Sequence, residues 1–500
     1  MDVIKNTFDN LNKGLIYLVL IFGCFGIVYA LTKLGLVFGT LLAAFPIVLL
    51  FLVFLFNNPY LGLMSIFTIN YFIMGVNRYL PSVPGGIVMD GVIGLTFIII
   101  LIHLFQRKVE FKRAFNGLTI LSAVWLFYCV IELFNPEVSS KAAWATTIRG
   151  VAVYFFLMTI LTSILIKNIK DLKKLLFLWA VFTLMAVAKA LIQKTFGWDS
   201  AELRWLYVDG GKDTHIIQSG IRYFSFFTDA GNFGSGMGYS LVVFTLVGIY
   251  IKDLKSKVFY FAVAFLAGYA MMISGTRGAL AVPFGGFFFY VFLSKNVKAM
   301  VSFSAFLILI FIFLKYTMLA HGNPQVRRMR TAFNAQDPSL QVRLENQKKL
   351  KAYMKSRPFG VGIGLGGVKA RRFTPYAFTS NVPTDSWFVM IWVETGIIGL
   401  LLHIGILLSI LAYGAYLALF VLKDKELKGL IIALVCGIFG IYATSYGNEV
   451  LGQFPTGIIL YMSMAIVFVS PYFDREIEEE KMKKIEEKIS ENDYGKNSKY

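Results

Sequence analysis

The feature that most restricts this chain is a succession of apolar blocks, each roughly 16 to 25 residues long, set apart by short polar connections. A helix rises 1.5 Å per residue, so about 20 apolar residues cross the ~30 Å hydrocarbon layer of a bilayer. A transmembrane barrel would instead alternate polar and apolar residues in ~10-residue strands. Fourteen blocks can be read, at about 14–31, 35–56, 60–76, 91–105, 117–134, 150–166, 175–193, 233–251, 258–273, 278–294, 299–318, 396–422, 429–446 and 455–470. The sequence therefore predicts an all-α, polytopic integral membrane protein with about fourteen transmembrane helices. A composition of 57% hydrophobic and 15% charged residues, with a mean hydropathy of +0.67, excludes an ordinary soluble domain.

Basic residues set the expected orientation, because short cytoplasmic connections retain Lys and Arg. Connections 106–116, 167–174, 252–257, 295–298 and 423–428 are rich in them, including Arg107, Lys173, Lys255, Lys298 and Lys423. The intervening short connections carry far fewer, among them Lys33, Arg78, Lys141 and Arg149. Both termini are thus expected in the cytoplasm. The first block begins after Lys13 and no small-residue cleavage site follows it, so it reads as a retained helix rather than a signal peptide. Cys24, Cys129 and Cys436 all fall within apolar blocks, and the four histidines form no ligand pair. No metal and no cofactor are expected. The high pI reflects membrane topology, and nucleic acid is not an expected partner.

One long polar stretch interrupts this pattern. From His321 to Pro383 there are twelve basic residues and two acidic ones, an excess of ten out of a chain total of +19. On the charge pattern this loop lies outside the cytoplasm, contrary to the rule the short loops obey. Long loops can translocate despite their charge, but so many cations call for an anionic partner. The expected organisation is helices 1–11 over 1–320, a chemistry-bearing extracytoplasmic loop over 321–395, three helices over 396–470 and a charged cytoplasmic tail over 471–500.

Four segments could carry chemistry. In SGTRGAL, Arg277 is flanked by Gly275 and Gly278, which permit close approach, and its planar fork suits phosphate oxygens. It could equally be an interfacial anchor. In RLENQKKLKAYMKSRP, Ser339 is expected to cap an amphipathic helix ending before Pro358, with Leu340, Leu344, Leu350 and Met354 on its apolar side. Arg343, Lys351 and Lys355 are expected to share another face, and Arg357 lies just beyond. In GVGIGLGG, five glycines leave backbone N–H groups able to cradle an anion, or simply form a tight re-entrant turn. In TDSWFVMIWVETGIIG, Asp385 and Ser386 stand at a helix start, and Glu394 is expected to be embedded with a buried partner.

Taken together, SGTRGAL, the VRLENQKKLKAYMKSRPFGVGIGLG run and TDSWFVMIWVETGIIGLLL resemble the O-antigen ligase/polymerase superfamily of bacterial envelope glycosyltransferases. The resemblance spans about Arg222 to Leu402 and includes RYFSFFTDAGNFGSGMG. It implies a metal-independent transferase acting on polyprenyl-diphosphate-linked glycans at the outer face of the bacterial cytoplasmic membrane. Arg277 and Arg343 match the arginines expected to hold the diphosphate, and Asp229 and Asn232 match a polar pair before a central span. Ligases of the family place His-Asn where this chain has Asp385-Ser386. That departure favours the polymerase branch, with Asp385 beside the acceptor hydroxyl. The implied site is Asp385, Arg277 and Arg343 for catalysis, with Arg222, Lys351, Lys355, Arg357, Asp229, Asn232 and Ser386 binding diphosphate or substrate. Implied partners are the lipid-linked glycan, membrane lipid, a chain-length regulator and a flippase. The alternatives are a ligase passing finished glycan to another acceptor, and a lipid-linked-sugar transporter. Against the transporter, charged residues are nearly absent from mid-block positions.

Overall fold

The computed structural model describes residues 45–46, 48–106, 111–217, 220–334 and 336–497, the side chains of 299 and 488–497 excepted. The chain divides into a compact unit ending at Gly62 and a second beginning at Leu63. In the first, a short apolar helix covers Val48–Asn57. The helices that follow are α1 (Tyr60–Tyr79), α2 (Gly85–Phe105), α3 (Gly117–Ile131), α4 (Lys141–Leu165), α5 (Ile169–Thr195), α6 (Ala230–Tyr250), α7 (Leu254–Ile273), α8 (Ala281–Leu293), α9 (Val297–Tyr316), α10 (Pro338–Met354), α11 (Trp387–Tyr416), α12 (Lys425–Thr444) and α13 (Thr456–Asn497). A two-residue hairpin, Ile216–Ile217 with Gly220–Ile221, is the sheet content of the described residues.

The architecture is that of an all-α polytopic membrane protein: among the described residues, ten helices are long and apolar enough to cross a bilayer, beside the shorter apolar Arg277–Leu293 and Met300–Tyr316. Every apolar block from 60–76 onward coincides with one of these helices. The block at 14–31 lies outside the described residues, and the block at 35–56 is described only at its end. Helix α4 starts nine residues before its expected block. Ser140 caps it by accepting from Ala143 N, and Arg149, expected in a connection, pairs with Asp90 of α2. A π-helical turn, Arg149–Val153, sits inside α4.

The basic and non-basic connections gather at opposite ends. At one end Arg113 donates to Lys167 O (2.7 Å), Lys173 pairs with Glu426 (2.7 Å) and Lys481 of the α13 extension pairs with Asp424 (3.1 Å). At the other, Asn135 donates to Phe359 O (3.0 Å), Thr228 to Phe454 O (2.8 Å) and Lys369 pairs with Glu449 (2.9 Å). Helices α6, α12 and α13 are the most enclosed. Contact between α8 and α12 is backbone to backbone: a Cβ on Gly286 would sit 3.0 Å from Cys436 O, and one on Gly440 2.6 Å from Val282 O. Small residues at such crossings replace the hydrophobic driving force that lipid cannot supply.

Helix α11 bends at Gly396 (φ 67°, ψ −171°), which frees carbonyls of the preceding turn. The glycine-rich run fills that break. Val361 N donates to Val393 O (3.0 Å) and Gly362 N to Glu394 O (2.9 Å), so the loop completes the interrupted ladder. A Cβ on Gly360 (φ +81°) would meet Glu394 O at 2.5 Å, and one on Gly396 would collide with Pro358 O. Side chains at positive φ cost about 1–3 kcal/mol even without a clash. Gly396→Ala should therefore lower stability by at least about 2 kcal/mol. Gly405→Ala, in open space on the same helix, should be neutral or stabilising by up to about 1 kcal/mol. Thermal unfolding of the detergent-purified variants tests the contrast.

Candidate functional site

The end of the bundle that carries the polar loop gathers four arginines. Arg277 opens the tight turn Arg277–Leu280 after Gly275 (φ +61°) ends α7. Its guanidinium donates to Thr331 Oγ1 (2.9 Å) and forms an ion pair with Asp337. Arg222 follows the small hairpin and donates to Thr214 O (2.9 Å) and Thr276 Oγ1 (2.9 Å). Arg328 donates from Nε to Gly275 O. A Cβ on Gly275 would lie 3.2 Å from Arg222 Cγ and 3.3 Å from Arg328 Cδ, so this glycine leaves room for both stems. Arg343, on α10, brings Nε to 3.9 Å from Asp385 Oδ2.

These cations feel one another. Burial holds the Arg222 guanidinium below its ordinary value; Asp229 opposes this, and the positive charges of Arg277 and Arg343 add to it. Burial also lowers Arg328, to about 10, reinforced by Arg222 and Arg277 and opposed by Asp337. Arg277 and Arg343 thus both act on Arg222, from opposite ends of the loop sequence. Like charges brought together out of bulk water create a strong local potential for an anion.

Asp385 sits beside this cluster on a left-handed backbone (φ +52°), an uncommon conformation that Asp tolerates better than most residues. Ser386 caps α11, accepting from Val389 N (3.5 Å), and Trp387 N donates to Ser445 O (3.0 Å). Burial pushes the Asp385 carboxyl above the usual range; Arg343 lowers it and Glu449 raises it. Thr384 Oγ1 donates to Glu449 Oε1 (2.5 Å), whose other oxygen pairs with Lys369 (2.9 Å). Asn448 Nδ2 donates to Thr444 Oγ1 (3.1 Å), which in turn donates to Gly278 O (2.8 Å).

The connection 445–455 between α12 and α13 therefore touches both the arginine turn and the segment around Asp385 that leads into α11. Sequence reasoning passed it over, because counting basic residues gives no weight to a short loop without them. The available signal was Glu449 itself, a lone acid in SYGNEVLGQF, in a chain whose other short connections at this end favour neither sign strongly.

Other expected site residues are placed as follows. Asp229 caps α6, accepting from Asn232 N (2.9 Å), and contributes charge near Arg222. Asn232 is buried and turned inward: its amide donates to Phe454 O (2.6 Å) and its oxygen accepts from Thr456 Oγ1. Arg357 pairs with Glu137 (3.2 Å) and lies over the Tyr353 ring. Lys351 and Lys355 are exposed, whereas Arg343 is half-buried on the face that also carries Asn346, Leu350 and Met354. The shared cationic face is therefore corrected. At 100° per residue, eight and twelve positions carry Lys351 and Lys355 about 80° and 120° round the helix from Arg343. Leu340 and Leu344 are exposed for the same reason, and the buried face follows Asn346, Leu350 and Met354. The cap is corrected too: Asp337, not Ser339, accepts from Ser339 N (3.0 Å) and Leu340 N (3.2 Å), with Pro338 in the first helical position.

The glycine run is a re-entrant turn whose N–H groups are largely spent on the chain itself, on Arg357 O, Val393 O, Glu394 O and Thr379 O. The acceptor it meets is internal: Gly366 N lies 3.4 Å from Glu394 Oε1. Among the described residues, no three His, Cys, Asp or Glu side chains converge to hold a metal ion.

The molecule is thus a multi-pass membrane bundle with an arginine cluster, a carboxyl beside it and a docked cationic loop at one end. Residues 262–404 match the family model described as O-antigen ligase. An O-antigen polymerase of Salmonella muenchen is 25% identical over 356 residues, covering 66% of this chain and 82% of the relative. In both comparisons the chain is similar to members of the O-antigen ligase/polymerase superfamily.

Asp337 has two tasks, capping α10 and pairing Arg277, and burial of its carboxyl is outweighed by that pair, which holds it below the usual range. Asp337→Asn keeps a good cap and loses the ion pair, while Asp337→Ala loses both. The cap alone is worth about 1 kcal/mol. Limited proteolysis of the 317–337 segment should show faster cleavage in Asp337→Ala than in Asp337→Asn, and slowest in the parent protein.

Proposed function

We propose that this protein is a membrane glycosyltransferase that polymerises polyprenyl-diphosphate-linked oligosaccharide repeats at the outer face of the bacterial cytoplasmic membrane. The observation that carries the reading is the convergence of Arg222, Arg277, Arg328 and Arg343 beside the raised carboxyl of Asp385. The acceptor hydroxyl oxygen forms a bond to the donor's anomeric carbon, and the bond from that carbon to the diphosphate breaks, leaving its electron pair on the diphosphate. Negative charge grows on the leaving group as it departs. Preorganised guanidinium groups stabilise that charge without reorganising, so no metal is required by the mechanism. The hydroxyl proton passes to Asp385.

An ordinary Asp, with a pKa near 3.9, is a weak base towards an alcohol. Burial beside Glu449 moves Asp385 in the useful direction. The product is the lengthened glycan on the acceptor's carrier and a free polyprenyl diphosphate, with inversion at the anomeric carbon. Membrane lipid surrounds the bundle, and a flippase supplying repeats and a chain-length regulator are the accompanying partners.

A second reading, transfer of finished glycan to another acceptor, draws on the family model's description as ligase. Asp385-Ser386 in place of His-Asn favours polymerisation. Gene deletion separates the two. A polymerase deletion leaves single repeats on the carrier, and a ligase deletion leaves long chains there.

Lysine keeps the charge of arginine but loses its fork. Arg277→Lys and Arg343→Lys should each reduce polymer at least about 100-fold, the cost of one lost donor to a developing oxyanion, with the single repeat retained. Gel separation of the glycan reads this, and long polymer at parental levels in either variant would refute the site. The pH dependence follows from the causes acting on Asp385. It must be ionised to take the proton, so activity falls as pH drops through its pKa, and Glu449 raises that pKa. Glu449→Gln should move the acid limb of kcat to lower pH; an unmoved limb would detach Asp385 from proton transfer.

A further inference from the structure

A cavity of about 240 Å³ lies between α4, α11, the glycine loop and the 449–454 connection. Its α4 wall includes the π-helical turn Arg149–Val153, a feature that recurs at functional sites. Its α11 wall is Trp387, Met390 and Glu394, three residues on one helical face that begins two positions after Asp385.

Glu394 is 1% exposed, and its Oε2 has no hydrogen-bond partner among the described residues. A buried polar oxygen left unpaired is costly, so it needs a reason. The chain keeps space around it: a Cβ on Gly366 would lie 3.0 Å from Glu394 Cγ. Two cations of the wall are paired, Arg149 with Asp90 and Lys369 with Glu449 (2.9 Å), while Arg372 is exposed and lies over the Phe373 ring. The buried part of the cavity, around Glu394, is where it offers little to an anion. It offers acceptor oxygen to O–H or N–H donors, the polar side chains of Thr147 and Gln453, and the rings of Trp387 and Tyr154. That mixture suits a neutral polyhydroxylated ring. Its size falls below the ~300–1,000 Å³ of sites for drug-sized ligands, which fits a single sugar rather than an oligosaccharide. Glu449 lines this cavity and also accepts from Thr384, next to Asp385, so a ring held here lies next to the proposed proton acceptor.

We propose that this cavity receives a sugar ring of the acceptor repeat, with Glu394 Oε2 accepting a hydrogen from a ring hydroxyl or N-acetyl group. The assignment rests on the glycosyltransferase reading and adds to it a saccharide subsite separate from the arginine cluster. The test uses full-length protein in lipid nanodiscs. The probes are methyl glycosides of hexoses, 6-deoxyhexoses and N-acetylhexosamines, read by saturation-transfer NMR, and inorganic pyrophosphate as an independent ligand. Glu394→Gln keeps the shape and replaces the carboxyl group by an amide. Thr146→Trp, at an exposed position of the cavity wall, plugs it without touching Glu394, so a folding failure of the first variant leaves the second to decide. Transfer to at least one glycoside, reduced tenfold or more in the variants while pyrophosphate binding is kept, is the expected result. No transfer to any glycoside in the parent protein, or undiminished transfer in the variants, overturns the subsite. Failure of the wider reading looks different: pyrophosphate binding would be unchanged by Arg277→Lys and Arg343→Lys.

Discussion

Repulsion between like charges is the constraint on which the polar end of this molecule depends. Arg222, Arg277, Arg328 and Arg343 come from four separate segments of sequence, and several of them lower one another's proton affinity. Only a rigid frame keeps such groups together. Asp337 pairs with Arg277, Asp385 stands 3.9 Å from Arg343, and Asp229 contributes near Arg222. That leaves positive potential in excess, and an arriving diphosphate would relieve repulsion that the fold already sustains. Binding then draws on electrostatics preorganised during folding rather than on movement of the site.

The frame is built by backbone as much as by side chains. The break in α11 at Gly396 and the glycine loop that enters it are two halves of one device. Each supplies the hydrogen-bond partners the other lacks, and a side chain at Gly360 or Gly396 would prevent the fit. Helix α10 packs through Leu350 and Met354 onto Val361, Leu365 and Val393 of this same junction. The glycines that fix the loop therefore also fix the height and rotation of Arg343, two turns along α10 from Leu350.

Much of the bundle is legible from block length, because lipid tolerates no unpaired backbone and so ties apolar runs to helices. The start of α4 was less legible, since Arg149 and Asp90 neutralise each other within the structure and appear singly in the sequence as connection residues. For α10 the composition marks an amphipathic helix, but Pro338 and Asp337 place its start two residues earlier than Ser339 suggests, and a spacing of four drifts where 3.6 holds. In the glycine run the sequence admits two meanings, an anion nest or a turn. What decides between them is the kink in a helix some thirty residues later. The role of 445–455 depends on tertiary contacts with Gly278, Thr384 and Lys369, and no local pattern encodes those.

Asp385 shows why that connection matters to the chemistry. A carboxyl beside a guanidinium alone would be held firmly ionised and would make a poor proton acceptor. A carboxyl buried without a cation would stay protonated and accept nothing. Here burial and Glu449 act upward while Arg343 acts downward. Glu449 is itself anchored by Lys369 and Thr384, so its charge is fixed in position. Arrival of a diphosphate near Arg343 would offset the one downward influence on Asp385 and raise its proton affinity further. Under the proposed function, donor binding and readiness to take the acceptor's proton would be coupled through one arginine, the carboxyl becoming a stronger base when a glycan is there to transfer.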